Sequence, residues 1–413
     1  MRAIFIAVGS ELLDYNRIDT NSLYISKKLA EHGILTDMKV VVGDDPSNLS
    51  WIIKNASKRS QLVIVTGGLG PTEDDITRES AAEALKKDLI FKDSLVDDIN
   101  EMFRKRGIKM PNINARQAFV LEGAEVLHNS VGTAPGQYLD DGATRLLLLP
   151  GPPREMEPMF DKILEKSIAP LSRFFIYKRC LKFGGITESE TDSLIAEIYK
   201  KYKNPQTTIL ASPGLIEVHL LGRSKKAIDE AKEQTDELAG KIKEKMSGHL
   251  ITEEDIRTEE YLINRLMEKN ITLSVAESCT GGGLGNILTN VPGSSKVFLG
   301  GFIPYSNELK EISLGVKPET LKKFGAVSKE VAKEMAENVR KITGSGIGVS
   351  ITGIAGPGGG TKKKPVGLVF MHLNTESSDI GQYRIFPGGR EIVKTRTINY
   401  CLNMINKFLK DEN

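Results

Sequence analysis

Apolar positions along the chain fall into short runs separated by stretches of helical spacing. RAIFIAVG (2–9) is an apolar run closed by Gly9. TNSLYISKKLAEHG sets Leu23, Ile25 and Leu29 at helical intervals, with Thr20 or Asn21 as N-cap and Gly33 as stop. DMKVVVGDD predicts a second strand and SNLSWIIKNASKR a second helix. QLVIVTGG predicts a buried strand ending in glycines, and DITRESAAEALKK a third helix. A long helical region follows, then GTAPGQYLD and ATRLLLLPGPP, each a strand running into a turn. Short apolar strands alternating with helices imply a mostly parallel sheet covered on both faces. Ligands on such sheets sit beyond the C-terminal ends of the strands.

From about Leu171 the pattern changes. FFIYKRCLKFGG reads as a strand, ESETDSLIAEIYKKY as a helix, and TILASPGLIEVHLLG as two strands around the turn Ser212-Pro213-Gly214. SKKAIDEAKEQTDELAGKIKEKM is a long amphipathic helix, which completes a small β-α-β-β-α unit. From about Thr252 the first pattern returns. EEYLINRLMEKN and SKEVAKEMAENVRKITG read as helices, the latter with Ser328 as N-cap and Gly344 as stop. ITLSVAES and GIGVSITGIAG read as strands, VGLVFMHLN and DIGQYRIF as paired strands, and REIVKTRTINYCLNMINKFLK as a closing helix. The expected fold class is α/β. Two three-layer α/β domains, 1–168 and 251–413, are joined by a small α+β domain at 169–250.

Composition narrows the function classes. A chain of 413 residues is long enough for two or three domains. Its 56 basic and 54 acidic residues leave a net charge of +2, so no global field favours nucleic acid or an anionic membrane. No apolar run approaches the roughly 20 residues of a membrane helix. The start, MRAIFIAVGSELLD, reads as a strand and not as a signal peptide. Cys180, Cys279 and Cys401 lie too far apart for a CxxC pattern or a disulfide framework, which points to a reducing cytoplasm. The five histidines form no HxxxH-type pair, which argues against a zinc site.

Three segments carry candidate chemistry in the last third. SVAESCTGGGLGN sets Ser278 and Cys279 in front of a glycine run, PYSNELK supplies Tyr305, Ser306, Asn307 and Lys310, and VSITGIAGPGGG brings Thr352 to a strand end. In an open α/β sheet these strand ends converge on one crevice. Serine needs a base to act as a nucleophile, no histidine lies near these motifs, and a lysine of depressed pKa serves in Ser-Lys variants. Lys310 is the candidate base, Cys279 the rival nucleophile, and the backbone N–H groups of TGGG a candidate oxyanion or phosphate site. A tightly turned structural domain is the alternative reading. The loop PGGGTKKKP (357–365) reads as a solvated turn.

In the first third, VTGGLGPTEDDITRES follows a buried strand and opens a helix. Its glycines permit close backbone approach to a ligand, and the helix start suits an anion. No GK[ST] follows, so it is not a Walker A sequence. Glu73, Asp74 and Asp75 would repel phosphate unless a metal or a sugar hydroxyl intervenes, and Mg²⁺ commonly bridges carboxylate and phosphate. Acids are also favoured at a helix start by the macrodipole alone.

VGSELLDYNRIDTNS, VVGDDP, GGLGPTEDD, GTAPGQYL and LPGPPREMEPMF together resemble the molybdopterin-binding domain over about residues 1–165. Tyr15-Asn16-Arg17 departs from that pattern in lacking the usual glycine. AESCTGG, YSNELK and ITGIAGPGGG, in this order and spacing, resemble the C-terminal domain of the CinA (competence/damage-inducible protein) family, and the whole chain resembles its full-length members. The resemblance implies that the C-terminal domain hydrolyses the carboxamide of nicotinamide mononucleotide (NMN) to nicotinate mononucleotide and ammonia, without a cofactor. Ser278, Lys310, Tyr305 and Thr352 then match catalytic positions. Thr280, Gly281, Gly282, Asn307, Gly353, Gly356 and Arg390 match the substrate site, with Arg396 the less favoured choice of arginine. Whether Ser278 forms an acyl-enzyme or positions water stays open at this level.

The same resemblance implies an ADP-ribose pyrophosphatase in the N-terminal domain. Glu11, Asn21, Gly67, Gly68, Gly70 and Thr72 would bind substrate, and Asp19, Asp44, Asp74 and Asp75 a divalent metal, expected to be Mg²⁺. A module that keeps the fold without the chemistry is the alternative. The middle domain resembles a KH domain, but no GxxG lies between its helices. Residues 171–250 hold 14 Lys/Arg against 11 Asp/Glu, a surplus of 3, which argues against nucleic acid. A homodimer with NMN and ADP-ribose as its small-molecule partners is the family expectation. The rival reading is a competence- or repair-linked protein that binds nucleotides without turnover.

Overall fold

The computed structural model describes residues 1–14, 17–172 and 174–411, the last without its side chain. Tyr15 and Asn16, which carry the missing-glycine departure, lie outside the described residues. The chain divides into two units, Met1–Ile176 with Arg223–Ile228, and Tyr177–Gly222 with the chain from Asp229 onward. Among the described residues no helix is long and apolar enough to cross a membrane.

In the first unit the order is β1 (Arg2–Val8), α1 (Asn21–Glu31), β2 (Leu35–Val42), α2 (Pro46–Arg59), β3 (Leu62–Thr66), α3 (Thr77–Leu85), β4 (Leu89–Phe91), α4 (Asp93–Lys105), β5 (Phe119–Leu121), β6 (Glu125–Leu127), β7 (Gly136–Asp140), β8 (Arg145–Leu149) and α5 (Pro153–Ile163). Six strands form one sheet in the order β2-β1-β3-β8-β7-β6. β2, β1, β3 and β8 run parallel, and β7 and β6 turn antiparallel. The continuous apolar run of β1 follows from this position. Ile4, Ile6 and Val8 pack with Leu49 and Ile53 of α2 on one face. Ala3, Phe5 and Ala7 pack with Ile25 and Leu29 of α1 and Phe160 of α5 on the other. The period-two alternation of a strand thus serves two cores at once.

Two sequence expectations change here. The long helical region before GTAPGQYLD contains only one helix of length, α4. It also holds the two-stranded ribbon β4–β5 and the edge strand β6. LIF, FVL and EVL are too short for either periodicity to register. Neither Thr20 nor Asn21 caps α1 with its side chain. Asp19 Oδ1 accepts the Ser22 N–H at 2.9 Å instead.

The second unit opens with β9 (Phe175–Gly184), α6 (Glu188–Tyr199), β10 (Gln206–Ser212), β11 (Leu215–Ser224), α7 (Ile228–Lys245) and β12 (Leu250–Thr252). Their sheet runs β10-β11-β9-β12. Pro213-Gly214 makes the two-residue turn of the β10–β11 hairpin, and Gly214 supplies the φ of 85° that the turn needs. Ile216, Val218 and Leu220 of β11 and Leu181 and Phe183 of β9 bury one sheet face against Ile195 of α6 and Leu238 and Ile242 of α7. Thr187 and Glu190 form a capping box at the start of α6.

Next come α8 (Thr258–Lys269), β13 (Leu273–Glu277), α9 (Gly283–Thr289), β14 (Phe298–Phe302), α10 (Asn307–Leu314), α11 (Pro318–Phe324), α12 (Lys329–Thr343), β15 (Ile347–Gly353), β16 (Leu368–Asn374), β17 (Asp379–Ile385) and α13 (Arg390–Asp411). The sheet order is β14-β13-β15-β16-β17. β14, β13 and β15 are parallel, and β16 and β17 complete the sheet antiparallel. α12 starts where Ser328 Oγ accepts the Val331 N–H and stops at Gly344 with φ 69°. Its fully buried Val331, Met335 and Val339 each contribute about 1.5–3 kcal/mol of apolar burial. The molecule is therefore mixed α/β throughout, with mixed sheets in both larger domains.

Candidate active sites

The crevice at the ends of β13, β14 and β15 gathers the C-terminal motifs. The Ser278 N–H donates to the Ile351 carbonyl at 2.9 Å, which extends the β13–β15 ladder by one residue and sets Ser278 beside Thr352. After β14, Ser306 Oγ accepts the Leu309 N–H and starts α10. One turn later Lys310 Nζ meets Ser278 Oγ at 3.2 Å, the Pro304 carbonyl at 2.7 Å and the Tyr305 carbonyl at 3.5 Å. Lys310 is 1% exposed, and none of these partners is a carboxylate. Burial lowers its pKa, opposed only by the nearby Cys279 thiol. A neutral amine has two hydrogens for the two carbonyls and one lone pair for the Ser278 hydroxyl. The geometry suits that form.

Cys279 is buried in the core that α9 covers, and burial pushes its thiol up to about 12. A thiol held protonated is a poor nucleophile. The sequence reading gave no role to Glu277, which is 1% exposed. Its carboxylate accepts the N–H groups of Leu284 at 3.0 Å and Gly285 at 2.7 Å. The start of α9 is thus already occupied by an anion of the chain itself. The Gly281 N–H donates to the Ser278 carbonyl and the Gly283 N–H to the Thr280 carbonyl. The N–H groups of Gly281 and Gly283 are therefore spent on the turn itself, and the Thr280 hydroxyl is buried and without a partner. Only the glutamate's place directly ahead of Ser278, four positions before the glycine run, could have signalled its role.

Arg390 opens α13. It donates from Nη2 to the Tyr305 hydroxyl at 2.8 Å and from Nη1 to the Gly356 carbonyl at 2.7 Å. Arg396 donates instead to the Pro387 carbonyl at 2.8 Å, in the approach to α13. Tyr305 is exposed, as is Asn307 at the first position of α10. Thr352 is buried, and its hydroxyl donates to the Ala326 carbonyl at 2.8 Å, which spends its proton on the fold. Gly353 ends β15 opposite Val369.

In the first unit a cleft of about 510 Å³ lies beyond β1, β3 and β8 and is lined by Glu11, Asp44, Gly67, Gly68, Gly70, Asp74 and Asp75. Arg106 and Arg154, which the sequence reading did not single out, line it too. Gly67 has φ 98°, and a Cβ there would stand 2.3 Å from the Val8 carbonyl oxygen. Arg78 was read only as a helix residue. It lies fully buried under the glycine loop and donates to the Leu69 and Gly70 carbonyls at 2.6 and 3.0 Å, its pKa lowered by burial.

The expected metal ligands separate on inspection. Asp75 accepts the Gly70 N–H, the Thr72 N–H and the Thr72 hydroxyl at 2.6–2.8 Å, so both residues are committed to the turn. Asp19 caps α1 and does not line the cleft. Asn21 ties the start of α1 to the Gly151 carbonyl at 2.8 Å. Asp44 lines the cleft and accepts the Ser10 N–H at 2.9 Å. Among the described residues no three of these carboxylates bring oxygens within 4.8 Å of one another. Of the expected ligands outside the turn, Asp44 and Asp74 line the cleft, and one or two protein carboxylates are what a Mg²⁺ usually takes.

The architecture defines a class: a molybdopterin-binding-type domain, a KH-type domain and a C-terminal α/β domain in one chain. Family models agree. Residues 4–170 match the "Probable molybdopterin binding domain", residues 178–251 the "Damage-inducible protein CinA KH domain", and residues 255–409 the "CinA C-terminal domain". A CinA-like protein of Koribacter versatilis is 42% identical over 99% of this chain and 100% of its own length. One of Solibacter usitatus is 41% identical over 98% of each. The chain belongs to the CinA family. Among solved structures, the competence/damage inducible protein CihA of Agrobacterium tumefaciens is 37% identical over 38% of this chain and 97% of its own, with a TM-score of 0.36.

Proposed function

We propose that the C-terminal domain is a hydrolase acting on the carboxamide of NMN. The observation that carries this reading is the contact between Ser278 Oγ and the buried Lys310 Nζ, a lysine with no acid to hold its proton. Lys310 takes the Ser278 proton as Oγ attacks the carboxamide carbon, then delivers it to the departing nitrogen. Ammonia leaves, and water, deprotonated by the same lysine, releases the acid. The unpartnered Thr280 hydroxyl donates to the developing oxyanion. Arg390, held at Tyr305 and Gly356, receives the 5′-phosphate. Tyr305 frames that subsite, and Thr352 acts through the position of the β15 end.

For the N-terminal domain we propose cleavage of ADP-ribose to AMP and ribose 5-phosphate. The glycine-lined cleft carries this reading, with Asp44 and Asp74 on its wall and Arg106 and Arg154 facing the same space. A bound Mg²⁺ would neutralise diphosphate charge. The chain's own part is to admit the diphosphate backbone closely at Gly67 and Gly68 and to orient it. Glu11 would contact the ribose hydroxyls.

The test measures ammonia release from NMN by wild type, Ser278→Ala and Cys279→Ala, with ADP-ribose hydrolysis followed in parallel with and without Mg²⁺. Release by wild type and Cys279→Ala but not by a folded Ser278→Ala is expected. Binding of NMN and ADP-ribose with no turnover of either would establish instead a nucleotide-binding protein of the competence- or repair-linked kind.

A further inference from the structure

We infer that the middle domain carries a site for a thiophilic divalent cation such as Zn²⁺, formed by Cys180, Glu217 and His219. The three residues lie on the sheet face opposite the helices. Leu181 and Phe183 of β9 and Ile216, Val218 and Leu220 of β11 point into the helix-covered core. Strand alternation turns Cys180, Glu217 and His219 to the other side. His219 Nε2 stands 3.8 Å from Cys180 Sγ and 3.1 Å from Glu217 Oε2, and the three ligand atoms lie within 4.8 Å of one another. With zinc bonds of about 2.0–2.1 Å to nitrogen, about 2.0–2.2 Å to carboxylate and about 2.3 Å to sulfur, tetrahedral geometry puts N···O near 3.3 Å and N···S near 3.6 Å. The two distances to nitrogen need movements of a few tenths of an ångström, and side-chain rotation would bring sulfur and oxygen to the roughly 3.6 Å that the same geometry sets for them.

The chemistry of the donor set agrees. One imidazole nitrogen faces both a thiol and a carboxylate. As a donor it satisfies the carboxylate and leaves the thiol without an acceptor there. As an acceptor it satisfies the thiol and faces the carboxylate lone pairs. A cation among the three removes the conflict. Thiolate with imidazole selects Zn²⁺ over Mg²⁺ or Ca²⁺. Lys182 donates to the other Glu217 oxygen, Oε1, at 2.6 Å, which orients the carboxylate without occupying Oε2. A cation bound there would hold Cys180 as the thiolate, so loading displaces the thiol proton to solvent. Water would supply the fourth position.

The test uses the full chain, stripped with a chelator and titrated with Co²⁺. A thiolate-to-cobalt charge-transfer band is expected, saturating at one equivalent and bleached by Zn²⁺. Cobalt bound by the N-terminal carboxylates gives no such band. Cys180→Ser should abolish it, and His219→Gln and the isosteric Glu217→Gln should each weaken Co²⁺ binding at least tenfold. Circular-dichroism melts of the metal-free variants confirm the fold, and Zn²⁺ should raise the melting temperature of wild type but not of Cys180→Ser. No band in wild type, or a band of full intensity in Cys180→Ser, overturns the site and leaves the three residues as a hydrogen-bonded cluster.

Discussion

Replacing Lys310 with methionine separates the two consequences of burying a lysine beside a serine. Methionine keeps the length and most of the volume but removes the amine. A positioned general base contributes about 10²–10⁴-fold to a rate, which is about 2.7–5.4 kcal/mol of barrier. Ammonia release from NMN should fall by that factor in kcat, with KM little changed. Stability should respond with a definite sign in pH. Burial lowers the Lys310 pKa below its ordinary value of 10.5, so the unfolded chain holds this proton more tightly than the folded one. The folded wild type therefore carries its full penalty below the depressed pKa, and the penalty fades as pH rises towards 10.5. Between those limits wild type gains up to about 1.4 kcal/mol per pH unit relative to the methionine variant. Losing hydrogen bonds to the Pro304 and Tyr305 carbonyls costs the variant about 1 kcal/mol each, a constant offset that leaves the slope untouched. Urea unfolding of both proteins at several pH values from 7 to 10 reads the slope directly. A variant within threefold of wild-type kcat, or a stability difference flat across that range, refutes the role of Lys310 as a neutral base.

Glu277→Ala removes an acceptor from two buried N–H groups and should destabilise the C-terminal domain by about 3 kcal/mol or more in urea unfolding, with Glu277→Gln intermediate. Gly67→Ala places a Cβ against the Val8 carbonyl oxygen. It should abolish ADP-ribose cleavage while ammonia release from NMN persists. Tyr305→Phe leaves Arg390 one partner short and should raise KM for NMN about fivefold, equivalent to about 1 kcal/mol, with kcat nearly unchanged in steady-state assays. Asp44→Asn should suppress Mg²⁺-dependent ADP-ribose hydrolysis, whereas Asp19→Ala should weaken only the start of α1, by about 1 kcal/mol in thermal melts.

Long periodic elements were legible in the sequence because periodicity and caps pointed the same way. Ser328 and Gly344 bound α12 as read, and the Pro213-Gly214 hairpin closes in register. The three-residue strands β4, β5 and β6 carry too few positions for any period and disappeared into a helical reading. At the C-terminal site, the motifs brought Ser278, Tyr305 and Lys310 forward because they follow strand ends that face a crevice, whereas Arg390 came forward only through the family resemblance. Glu277 stayed hidden. A buried carboxylate that serves backbone N–H groups looks in sequence like any strand-end acid. The N-terminal acids show the converse. Asp19 and Asp75 have the composition of metal ligands, yet the turn engages both Asp75 oxygens and Asp19 stands off the cleft, and only coordinates distinguish such aspartates from an available one.

The closing helix has a mechanical consequence. From Arg390 to Lys410 it is a rod about 30 Å long at 1.5 Å per residue. One end holds Tyr305 and Gly356 at the crevice of the C-terminal domain. Partway along, Asn399 grips the Pro213 carbonyl at the tip of the β10–β11 hairpin, and near the far end Lys410 grips the Leu250 carbonyl where β12 begins. One rigid element therefore ties together three places that the sequence keeps far apart: the crevice at Arg390, the hairpin tip at Pro213 and the start of β12 at Leu250.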